Sequence, residues 1–287
     1  MIILRTINVV VMIIFPVVTA AFFINRYKSY WRFWLIGGAI FLISQLGHIP
    51  FNYFASKILN NTSLVLWDKN QQILFNAGFL GLSAGIWEET SRYLGYRIWL
   101  KKPKAWRDGL ILGLGHGSFE AILIGFIALY VLLQMVAFKD TDLSFLIPVD
   151  RIDFTYKSIQ AYWNVNWYDS LLGALERVLT IPIQVLLSIL IIQIFKRGNM
   201  IWLFVAIIIH TIIDASVVIL INYSSIYITE AIIALFSLLS LILIVLLNKK
   251  VVENDIIFNE TIIATDKPEK QLILDDSILD IDDTKYM

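Results

Sequence analysis

Seven stretches of this chain are apolar over about 20 residues or more, the length an α-helix needs to cross a bilayer core. They run Ile2–Ile24, Phe33–Ala55, Ile73–Leu100, Gly109–Phe138, Ser170–Phe195, Ile201–Asn222 and Ile228–Leu247. Composition agrees, with 58% of the 287 residues hydrophobic and only 16% charged, where a soluble domain carries roughly 25% charged residues. Within lipid the backbone must satisfy its own hydrogen bonds, and helices do so segment by segment. The chain therefore reads as all-α: a polytopic membrane helix bundle of about seven transmembrane helices, with membrane lipids as its immediate partners. The absence of cysteine removes disulfides and thiolate metal sites. The balance of 23 basic against 23 acidic residues offers no electrostatic footing for nucleic acid.

Lysine and arginine placement predicts orientation. Arg26, Lys28 and Arg32 follow the first span, and Arg97, Lys101, Lys102, Lys104 and Arg107 follow the third. Lys196-Arg197 and Lys249-Lys250 end the fifth and seventh. The alternate connections hold only Lys57 and Lys69, then Lys139, Arg151 and Lys157, then none. This pattern places the N-terminus outside and the C-terminus in the cytoplasm, with the first span retained rather than cleaved. The connection from Lys139 to Asp169, rich in tyrosine and tryptophan, reads as an interfacial helix in the aromatic belt, with a cap over an internal cavity as the alternative. Residues 1–250 then form a membrane domain with a catalytic core over 73–222, and residues 251–287 form an acidic cytoplasmic tail expected to be mobile. From Asn248 onward there are five lysines against ten acids, so the preceding body carries the positive surplus.

Ionisable groups inside spans are costly and usually face protein or a watery cavity. Here they cluster: Glu88, Glu89 and Arg92 in the third span, His116 and Glu120 in the fourth, His210 and Asp214 in the sixth. Counted from the cytoplasmic ends at about 1.5 Å per residue, all of these acids and histidines fall roughly 11–20 Å deep. His116 with Glu120, and His210 with Asp214, are i and i+4, so each pair projects from one helical face. Glu88 and Arg92 share that spacing, so an ion pair between them can hold one glutamate while Glu89 points elsewhere. Glu176 and Arg177 fall about 28 Å deep, near the outer face, and read as a structural pair. His48, between Gly47 and Pro50, reads as a structural histidine beside a distorted turn. Small residues at four-residue spacing, Ala77-Gly81-Gly85 and Gly109-Gly113-Gly117, predict close helix contacts leading into the polar groups.

Glu88-Glu89-Thr90-Ser91-Arg92, His116-Gly117-Ser118-Phe119-Glu120 and His210-Thr211-Ile212-Ile213-Asp214 form an ordered series on successive spans. The series resembles that of the YhfC-type intramembrane metalloproteases, within the wider group of CAAX-prenyl-protease and bacteriocin-processing membrane peptidases. Asp214 stands where the prenyl proteases usually carry asparagine, and Glu120 is additional. The resemblance implies an intramembrane peptidase acting on a peptide or membrane-protein substrate. One of Glu88 and Glu89 would activate water, with Arg92 orienting a glutamate. His116, His210 and Asp214 would hold a divalent metal, zinc by choice of ligands, with Glu120 as fourth ligand or behind the others. In a metal-free version, a glutamate and His116 activate water while His210 and a protonated Asp214 donate to the oxyanion. The alternatives are a proton- or ion-coupled transporter and a non-catalytic scaffold or immunity protein.

Overall fold

A computed structural model describes residues 1–29, 31–59, 61–62, 66–100 and 105–265, with the backbone alone from residue 249 on. Among the described residues there are eight α-helices and no strand: α1 (Ile2–Arg26), α2 (Trp31–Leu59), α3 (Lys69–Trp99), α4 (Trp106–Phe138), α5 (Val149–Trp163), α6 (Leu172–Arg197), α7 (Ile201–Tyr223) and α8 (Ile226–Thr265). Local chemistry sets several boundaries. Asp68 starts α3 as a capping box, its Oδ1 accepting from the backbone N–H of Asn70 and Gln71 while the Gln71 side chain accepts from the Asp68 N–H. Gly198, at φ 65°, ends α6 in the left-handed conformation that glycine adopts without strain.

Six helices are long and apolar enough to cross a membrane: α1, α2, α4, the segment Tyr168–Arg197 containing α6, α7, and the Ile226–Asn248 part of α8. The exception among the seven expected spans is α3. At 31 residues it has the length, but Glu88, Glu89 and Arg92 make it more polar than the others. It keeps those residues out of lipid by packing along α7, α2 and α6, where all three are buried. The protein is an integral membrane protein in which the most polar long helix turns its charged face toward its neighbours.

The chain divides into two compact units, Met1–Leu247 and Asn248–Met287. In the first, α3 packs most closely on α7, and α4 is the hub against which α1, α2 and α6 lie. The predicted small-residue stripes make these contacts. A Cβ on Gly81 would lie 2.7 Å from the Thr211 carbonyl oxygen of α7, and one on Gly113 would lie 2.6 Å from Val185 Cα of α6. The second unit continues helical through Thr265, and the rest of the expected tail, residues 266–287, lies outside the described residues.

The helix expected in the aromatic connection is α5. The Arg5 guanidinium donates to the Tyr162 carbonyl at 2.7 Å and sits 4.0 Å from the centre of its ring, while Trp163 donates to the Met135 carbonyl at 3.3 Å. These bonds tie α5 to the start of α1 and the end of α4.

Candidate active site

Three helices bring their polar residues together in the first unit. On α3, Glu88 is 7% exposed and Glu89 and Arg92 are fully buried. His116 of α4 is fully buried as well, and His210 of α7 is 4% exposed. Glu88 Oε2 lies 3.0 Å from His116 Nε2 and 3.9 Å from His210 Nε2, while Glu88 Oε1 accepts from the Gln45 amide of α2 at 3.0 Å. The Arg92 guanidinium pairs with Glu89 at 2.6 Å, and the same carboxylate oxygen lies 2.8 Å from His210 Nδ1. Asp214, one turn along α7 and partly exposed, reaches 3.5 Å from His210 Nε2.

The expected ion pair of α3 therefore forms with the other glutamate. Arg92 takes Glu89 at i,i+3, and Glu88 is the one left facing α2 and α4. Both spacings lie on one helical face, and the neighbouring helices decide between them. Two amides that sequence reasoning passed over hold the arrangement. Gln45 anchors Glu88. Gln184 of α6 accepts from Arg92 at 2.5 Å and donates to Glu120 at 2.8 Å. Neither carries charge, so a search for ionisable groups missed them; a polar amide in an otherwise apolar span is the signal that was available.

Glu120 does not join the cluster as a ligand. Its carboxylate accepts from Arg177 at 2.7 Å and from Gln184. Arg177 also pairs with Glu176. The structural pair read from the sequence thus exists, but it extends to Glu120 and draws it away from His116. A hydrogen-bonded chain runs from Glu176 through Arg177, Glu120, Gln184, Arg92 and Glu89 to His210.

The expected metal set of His116, Glu120, His210 and Asp214 is not assembled. Among the described residues no group of three or more histidine and carboxylate side chains is placed to hold a metal ion. His116 Nε2 is engaged with Glu88, His210 Nδ1 with Glu89, and Glu120 with Arg177. Zinc coordination asks instead for three or four donors at about 2.0–2.2 Å from one point.

A cavity of about 290 Å³ adjoins the cluster. His210 and Asp214 form part of its wall, together with His48 and Asn52 of α2, Glu120 of α4, and Glu176, Arg177 and Gln184 of α6. His48 thus stands at the site rather than only at a distorted turn. Its Nε2 lies 2.8 Å from the Asn52 amide and 3.2 Å from the Ser83 hydroxyl of α3. No residue of α5 lines this cavity, which favours the interfacial reading of that helix over the cap.

Comparison with known proteins gives the same reading at the level of kinship. An uncharacterized membrane protein YhfC of Bacillus subtilis (strain 168) is 27% identical over 206 residues, covering 71% of this chain and 78% of that protein. No solved structure matches. The pattern of the family described as YhfC intramembrane metalloprotease matches residues 11–237, a range that takes in every residue of the cluster, and the chain belongs to that family.

Proposed function

We propose that this chain is an intramembrane peptidase in which Glu88 activates the attacking water. The observation that carries this reading is the position of Glu88, a buried carboxylate not tied up in the Arg92 ion pair and set between histidines from two other helices. The family description, a metalloprotease, supports the reaction class. The donor arrangement does not fit a metal, so the reaction is derived from the side chains.

Water loses a proton to Glu88 while its oxygen attacks the carbonyl carbon of the scissile bond. His116, bonded to one carboxylate oxygen, and Gln45, bonded to the other, fix the base. The developing oxyanion needs donors placed in advance. His210 supplies one as the imidazolium, in which both ring nitrogens carry a proton: Glu89, as the carboxylate of an ion pair, accepts from its Nδ1–H and fixes the ring so that Nε2–H points toward Glu88 and Asp214. Asp214, 3.5 Å from that nitrogen, steadies the ring from the cavity side. Collapse of the tetrahedral intermediate breaks the carbon–nitrogen bond, and the proton held on Glu88 passes to the departing nitrogen. The products are a carboxylate and an amine. Arg92 is a positioning residue, since it acts through Glu89.

The test is hydrolysis of membrane-inserted peptides by the purified, reconstituted protein, read by mass spectrometry. Glu88→Gln keeps the shape and the bond to Gln45 but removes the base, and a general base contributes roughly 10²–10⁴ in rate. Hydrolysis by Glu88→Gln at the wild-type rate refutes the assignment. Proton flux across the vesicle wall that both Glu88→Gln and Glu89→Gln abolish, without hydrolysis in the wild type, replaces it with a transporter.

A further inference from the structure

The two halves of the bundle differ in kind. On one side of the cluster the helices pack closely. Trp34 and Ile40 of α2, Tyr96 of α3, Ile111 of α4 and Ile191 of α6 are each no more than 9% exposed and belong to one continuous apolar core. On the other side lies the cavity. Its α2 wall, His48 and Asn52, and its α7 wall, His210 through Val218, are both read toward the C-terminal ends of those helices. Its α3 wall, Leu80 and Ala84, precedes Glu88, and α6 and α8 contribute Glu176 and Ile233 from their early turns.

These helix ends meet at the α5 end of the bundle. There Tyr223 of α7 donates to Asn70 of α3 at 2.8 Å, Tyr227 of α8 donates to Asp169 just before α6 at 2.7 Å, and Arg5 of α1 reaches α5. Among the described residues, the cavity that reaches the cluster, through His210 and Asp214, lies toward α5; those at the other end, lined by Arg32, Ile36 and Trp99 and by Ile40, Ser91 and Gly95, include no residue of the cluster.

The connections at the opposite end carry more basic residues than the α5 end, where Arg5, Lys57, Lys69, Lys139, Arg151 and Lys157 lie. Arg26, Lys28, Arg32, Arg97, Arg107, Lys196 and Arg197 all fall at or just beyond helix ends remote from α5. By the rule that positive connections stay inside, the packed end faces the cytoplasm and the cavity faces out. We infer that substrate reaches Glu88 from the extracytoplasmic side, which makes it a membrane-anchored or exported polypeptide whose scissile segment passes through the outer half of the bilayer to the level of the cluster. The cavity lies near the lower limit for ligand sites, about 300–1,000 Å³, while a helix with its side chains is about 10–12 Å across. The segment therefore enters unwound and short. The word substrate here rests on the peptidase reading; the direction of access does not.

The chain has no cysteine, so each introduced thiol is unique. Val218→Cys and Thr180→Cys place thiols on two sides of the cavity wall. Val149→Cys, at an 85% exposed position on α5, and Asn199→Cys, in the exposed turn between α6 and α7, mark the two ends. A membrane-impermeant thiol reagent is added to intact bacteria expressing the full chain, then to permeabilised ones. Labelling of Val149→Cys and at least one cavity variant in intact cells, with Asn199→Cys labelled only after permeabilisation, supports the inference. Cavity thiols that label only together with Asn199→Cys overturn it, as does Val149→Cys labelling only after permeabilisation. Cavity thiols that label under neither condition overturn it too, because the cavity is then sealed. Hydrolysis is not read in this experiment, so loss of the peptidase reading leaves its outcome unchanged.

Discussion

Exchanging Gly113 for alanine puts one methyl group where α4 and α6 touch. Its Cβ would lie 2.6 Å from Val185 Cα, 2.9 Å from Ser188 Cβ and 3.0 Å from the Gln184 carbonyl oxygen. Carbon atoms rest at about 3.5–4.0 Å, so the helices must part by about 1 Å. Two of the three obstacles are backbone, and no rotamer change relieves them. Forcing extra volume into a packed interior costs about 1–3 kcal/mol. The same exchange returns up to about 1 kcal/mol of helix propensity, and Gly78→Ala isolates that gain, because nothing lies within 4 Å of a Cβ at Gly78. Gly78→Ala is therefore expected to be neutral or stabilising, and Gly113→Ala to fall below it by about 1–3 kcal/mol. The assay is unfolding of the purified protein in detergent, followed by fluorescence of its nine tryptophans. Gly113→Ala should also slow hydrolysis, since Gln184, which bridges Arg92 and Glu120 at 2.5 and 2.8 Å, lies on the displaced surface. Equal stability of the two alanine variants would refute the close packing of α4 on α6.

Arg92→Leu leaves the fully buried Glu89 without its cation and should lower stability by about 3–5 kcal/mol; adding Glu89→Leu should restore much of that loss in the same unfolding assay. Gln184→Leu strands the amide's partners on Arg92 and Glu120 and should cost about 1–3 kcal/mol, whereas Gln134→Leu, half-buried near the end of α4 with only a solvent-accessible bond to Tyr130 to lose, should change stability little. If the side chains alone run the reaction, a chelator leaves hydrolysis unchanged; loss on chelation with recovery on adding metal would return the chemistry to a metal centre. Burial raises the Tyr162 phenol above its ordinary value, with the nearby Arg5 guanidinium opposing the shift. A raised folded value means that Tyr162 contributes full stability below its unfolded value of about 10 and loses it as pH climbs through the folded one. Protection of the α5 amides, with the base-catalysed rise in intrinsic exchange divided out, should thus hold to about pH 9 and fall above 10, and Tyr162→Phe should remove that fall.

The depth of the polar residues was legible because it follows from counting along helices whose ends are marked by charge. Their pairing was not. Glu88 and Glu89 are adjacent and both within reach of Arg92, so spacing along α3 offered two equivalent ion pairs. The structure chooses between them with residues far off in the chain: His116 and Gln45 on one side, and His210, 121 positions from Glu89, on the other. Glu120 teaches the complementary lesson. Its i,i+4 relation to His116 correctly put both on one helix, but a side chain that can turn either way is claimed by the strongest partner nearby. Arg177, assigned by axial counting to a different level, has a stem long enough to cross that gap. The same reasoning accounts for α3 as the odd span. A buried cluster of acids must sit on some helix, and that helix loses the apolar signature by which spans are recognised. Its buried charges require protein around them, so the face of α3 that carries Glu88, Glu89 and Arg92 is turned into the bundle, while Leu82, Ile86 and Leu94 on its other face stay exposed.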